Sequence, residues 1–93
     1  MTIDEFQKSE TLSENMSTPL RALWQDARGH WEEAHHTVQD DTTAEGAWVH
    51  AYLHRKEGDK SNARYWYDRA DQPVYAGSLA DEWREIVEAL LPD

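Results

Sequence analysis

The sequence contains no cysteine, so no disulfide can staple a small core and no thiolate can serve as a nucleophile. Glycine occurs only four times, spread along the chain. That leaves no Gly-rich loop to cradle phosphates, which excludes P-loop and dinucleotide-fold nucleotide binding and implies no organic cofactor. Long apolar runs are missing too. Residues 1–18 carry acids and hydroxyls but no cationic start followed by an apolar stretch, so neither a secretory signal nor a membrane anchor is expected, and a cytoplasmic location is the default. Cations are scarce: nine Lys and Arg stand against nineteen Asp and Glu, a net charge of -10. Phosphate contacts need Lys and Arg to displace condensed counterions, so nucleic acid and anionic membranes are not expected partners.

What remains is 93 residues, 39% of them hydrophobic, enough for one domain with one modest core. Five Trp and four Tyr are many for this length. Large aromatics bury much area and help a small core, and surplus ones favour interfaces. Charge is uneven, with -7 over residues 1–54, +2 over 55–69 and -5 over 70–93. Five of the nine cations fall in the middle segment, which reads first as a solvated helix face and second as a patch for an acidic ligand.

Residues 1–17 are polar, with isolated Ile3, Phe6, Leu12 and Met16, and are expected to form a flexible acidic leader. A single helical domain is expected over 18–93. Ser17-Thr18-Pro19 opens a helix carrying Leu20, Leu23, Trp24 and Ala27, which Gly29 ends. A second helix follows to about Gln39 with Trp31, Ala34, His35 and Val38 in register. Thr42 with Glu45 offers a capping box for a third helix, Ala44 to Glu57, stopped by Gly58. Asp59 caps a fourth, Lys60 to Ala70. Ser78 caps the last, where Leu79, Trp83, Ile86, Val87, Leu90 and Leu91 trace one apolar face. The expected fold class is therefore all-α, with hairpins at 19–39 and 44–70 and a closing amphipathic helix at 79–91.

The two hairpins repeat. Gly29 superposes on Gly58, Ala34 on Ala63, Val38 on Tyr67, Leu20 on Val49, Leu23 on Tyr52 and Trp24 on Leu53, all 29 residues apart. The second unit, AEGAWVHAYLHRKEGDKSNARYWYDRADQP, with Trp48 near its start, Gly58-Asp59 at the turn, and Ala63, Tyr67 and Ala70 beyond it, resembles a tetratricopeptide repeat. The resemblance covers about residues 19–73. The runs WVHAYLHRKEGD and NARYWYDRA are also similar to segments of short bacterial proteins, a likeness that implies no activity. In the tetratricopeptide class the first helix of each hairpin lines a concave groove. The resemblance thus implies a partner-binding face of Trp48, Tyr52, Arg55 and Lys56, an aromatic and cationic clamp for an acidic protein or peptide segment, or for a second copy of the chain.

A second function class rests on histidine. His50 and His54 are four apart, which puts both imidazoles on one helix face, and Glu57 follows three residues later. His35 can join from the preceding helix if the hairpins stack. This quartet, His35, His50, His54 and Glu57, is a candidate metal or acid–base site, against the plainer reading that the histidines pack inward. The motifs lean away from an enzyme, and a small protein-interaction scaffold is the leading expectation.

Overall fold

Hydroxyl and carboxylate caps set most helix starts in this chain. The computed structural model describes residues 1–92, and all regular secondary structure among them is helical: α1 (Ile3–Lys8), α2 (Thr18–Ala27), α3 (Trp31–Val38), α4 (Ala44–Glu57), α5 (Lys60–Ala70) and α6 (Leu79–Leu90). Ser17, Thr43, Asp59 and Ser78 each accept a backbone N–H in the first turn of α2, α4, α5 and α6, satisfying donors that have no partner within the helix. The cap of α4 is one residue later than the capping-box spacing predicts. Thr43 rather than Thr42 takes the role because Asp41 bonds both its N–H and its hydroxyl, at 2.9 and 2.6 Å. Gly29 and Gly58 adopt φ of 81° and 90°, the left-handed backbone that reverses a chain at little steric cost only for glycine.

The most extensive packing joins α4 to α5 and α2 to α3, and α4 also touches α2, α3 and α6. Helix α4 is thus the centre of the molecule, and eight of its fourteen residues are buried. One core gathers Leu20, Leu23, Val38, Val49, Leu53, Trp83, Ile86 and Val87, and a smaller one joins Ala51, Ala63 and Tyr67, with Trp48 packed against both. The radius of gyration is 12.1 Å, close to the roughly 12 Å of a compact chain this long. No helix among the described residues is long and apolar enough to cross a membrane.

The segment expected as a flexible leader carries a short helix at its start. Thr2 and Glu5 form a reciprocal capping box, and α1 buries Phe6 completely, its ring 5.9 Å from that of Trp83. Further along, the Trp24 indole donates to the Ser9 carbonyl at 2.9 Å and Arg21 to the Ser13 carbonyl at 2.9 Å. One apolar ring docked in the core and side-chain bonds to the backbone hold this segment down, although its average polarity is high. Phe6→Ala should therefore lower global stability by about 3 kcal/mol, read as an earlier urea midpoint; an unchanged midpoint would return residues 1–8 to the status of a leader.

Candidate metal centre

Helix α4 advances about 100° per residue, so His50 and His54 share one side while Tyr52, Arg55 and Lys56 fall towards the other. The histidine side meets α3 and α5. His35, at mid-length of α3, brings its Nε2 to 3.1 Å from Nε2 of His50. The ring centroids lie 4.8 Å apart for His35–His50, 4.8 Å for His50–His54 and 5.2 Å for His35–His54. One ligand nitrogen from each of the three lies within 4.8 Å of the others. Nitrogens that share a tetrahedral zinc ion at about 2.0–2.1 Å are about 3.3 Å apart, a spacing the His35–His50 pair already has.

Two tryptophans wall this cluster. Trp31 stacks on His35 at 5.2 Å with planes 8° apart, and its indole donates to the Leu53 carbonyl at 2.8 Å. Trp66 of α5 stacks on His50 at 3.9 Å. His50 and His54 are buried, while His35 is half-buried on the solvent side. Glu57 does not join the three imidazoles. Its carboxylate accepts from His54 Nδ1 at 2.7 Å, which fixes the tautomer and turns the Nε2 lone pair free for another partner. The quartet expected from spacing is therefore a trio of converging rings with Glu57 behind one of them.

Burial, and then the neighbouring His54 and His35, push the His50 pKa down to about 4 from an ordinary 6.5. Burial and His54 lower His35 also. Among the described residues, buried His50 Nδ1 has no hydrogen-bond partner. Between neutral His35 and His50 a single proton must occupy the Nε2–Nε2 contact, so that contact uses only one of the two lone pairs. A cation in its place would use both, which is the chemistry this donor set offers.

The other side of α4 lies against α2 and α6, and there the expected groove residues are engaged internally. Tyr52 is buried and donates to Asp26 at 3.1 Å, Lys56 reaches the same carboxylate at 3.0 Å, and Arg55 Nε donates to Glu82 at 2.9 Å. The Tyr67 hydroxyl also donates to Glu82. Burial and then these carboxylates raise both phenol pKa values well above the ordinary range, so each stays a donor. Trp48 packs half-buried between the two cores. Sequence reasoning passed over Asp26 and Glu82, though both carried a signal: each stands three residues after a leucine of the apolar stripe, Leu23 and Leu79, at a core-facing position. No protein-family model, curated protein or solved structure matches the chain.

Two outcomes follow. Glu82→Ala leaves Arg55 and Tyr67 without their acceptor and should cost about 3–5 kcal/mol of stability, measurable by urea denaturation. With chelator present, the unfolded chain binds more protons than the folded one between pH 6.5 and about 4, because the folded state holds His50 neutral. Stability is then full above pH 6.5 and declines as pH falls towards 4. His50→Gln should remove the larger part of that decline in urea midpoint, and a slope unaltered by the substitution would show that other groups cause it.

Proposed function

We propose that this chain is a small helical metal-binding domain that takes one late first-row divalent ion, zinc by its donor set, on His35, His50 and His54. The convergence of three imidazoles from two helices carries the reading. All-nitrogen donors suit zinc, copper and nickel, and three protein ligands leave a fourth position for water or another exchangeable group. Glu57 orients His54 in the manner of carboxylate partners behind metal-bound histidines. The depressed His35 and His50 pKa values support it further, since imidazole must be neutral to ligate. The scaffold reading draws less support, because Tyr52, Arg55 and Lys56 are bonded to Asp26 and Glu82. The close pairing of α2 with α3 and α4 with α5 supports taking them as two hairpins of the tetratricopeptide kind, used here to bring α3 and α4 together rather than to line a groove.

Equilibrium dialysis of untagged protein against zinc tests the proposal. One equivalent should bind; His35→Gln, which changes a half-buried residue, should weaken binding by about a hundredfold or more, and Glu57→Gln by about ten- to a hundredfold. Circular dichroism should report both variants helical. Failure of zinc, cobalt, nickel and copper alike to saturate at one equivalent would refute it, as would equal affinity in His35→Gln.

A further inference from the structure

The cation-rich stretch between residues 55 and 69 is not absorbed by the histidine cluster. Arg55 from α4 and Lys60 and Arg64 from α5 line one cavity of about 550 Å³ together with Ala63, Val74 and Tyr75. Lys60 and Arg64 share a face of α5 by their spacing of four. Beyond α5, Asp71 turns the chain with φ 57°, and the segment that follows brings Tyr75 back onto Ala51, Ala63 and Tyr67. Gly77 permits this seat, since a Cβ there would lie 2.8 Å from the Tyr75 ring. Val74 remains 55% exposed, an apolar side chain kept at the rim.

The electrostatics have a direction. Arg55 is held by Glu82 through Nε, its guanidinium 5.3 Å from the Tyr75 ring centroid, and its buried Nη2 has no hydrogen-bond partner among the described residues. Neither Lys60 nor Arg64 makes a salt bridge among the described residues. At Tyr75 partial burial, then the Glu85 and Asp81 carboxylates of α6, raise the hydroxyl. An anionic group is therefore drawn to Lys60 and Arg64 and away from the Tyr75 hydroxyl. In a chain of net charge -10 this is a local inversion of sign. A mostly apolar recess of this volume with a few convergent polar groups is the form small-molecule sites take, at roughly 300–1,000 Å³.

We propose that this recess binds an organic carboxylate, its anionic head on Lys60 and Arg64 and a short apolar body on Ala63, Val74 and Tyr75. The site is independent of the metal reading. Hexanoate titrated into the ¹⁵N-labelled full-length chain provides the test, with acetate and hexan-1-ol as probes of charge alone and apolar body alone. Hexanoate should give saturable shifts centred on Ala63 and on 74–76, about tenfold tighter or more than either control. Lys60→Gln with Arg64→Gln, both exposed positions, should remove that advantage while the rest of the spectrum stays in place. An acetylated dipeptide ending in a free leucine carboxylate, if it shifts the same residues more tightly than hexanoate, assigns the head group to a peptide end instead of a free acid and upholds the site. Absence of saturation at these residues, parity with acetate or hexan-1-ol, or an unchanged affinity in the double variant overturns it.

Discussion

The enclosure of α4 by α2, α3, α5 and α6 governs the rest of the molecule. A central helix cannot keep all of its polar side chains in water, and each one it buries needs a partner or it costs stability. Helix α4 carries His50, Tyr52, His54, Arg55 and Lys56 within seven residues. In a helix on the surface these would be unremarkable. In the middle of a bundle they dictate what the neighbours must offer, and they separate by helical phase into two sets with different chemistry.

Towards α2 and α6 the solution is charge matching. Asp26 and Glu82 are buried, and each serves one tyrosine and one cation of α4 or α5. Removing any member strands another, so this network acts as a lock on how α2 and α6 seat against α4. Towards α3 and α5 no carboxylate enters the cluster; the histidines meet one another and two indoles. On that side Glu57 bonds His54 from behind the cluster, and His35 bonds His50 within it. The His35–His50 contact uses one shared proton where a cation would engage both Nε2 lone pairs.

Helix limits were legible because capping chemistry is local: Ser17, Asp59 and Ser78 stand one to four residues before an apolar period begins, and Gly29 and Gly58 end one. The histidine trio was legible in part. Spacing put His50 and His54 on one face, but the approach of His35 depends on how α3 lies across α4, which no local pattern encodes. Phe6 was illegible for the converse reason, as a single apolar ring in a polar segment carries no period yet fills a core site against Trp83. The internal bonding of Tyr52, Arg55 and Lys56 was illegible because a pattern of aromatic and cationic residues looks the same whether it faces solvent or a buried acid. Asp26 and Glu82 decide between these, and they lie 30 residues before Lys56 and 27 after Arg55.

Burial of His35 and His50 also bears on how the domain could hold an ion near neutral pH. A histidine of ordinary pKa 6.5 is partly protonated just below neutrality, and a proton there competes with the metal. With His50 pushed down to about 4, that competition is absent at His50 through the whole neutral range. The desolvation that keeps these rings neutral comes from the packing that places α4 at the centre. Helix α3 is short, and its N-cap, His30, makes no side-chain hydrogen bond, so its position rests on its apolar contacts, on the bonds of Glu33 and Thr37 to Gln25 of α2, and on Trp31 and His35 against α4 more than on its own helical stability. An ion shared by His35 and the two histidines of α4 would bind α3 to the central helix beside the bond that the Trp31 indole makes to the Leu53 carbonyl. Metal affinity and the docking of α3 are then a single equilibrium, so anything that loosens α3 also weakens the site.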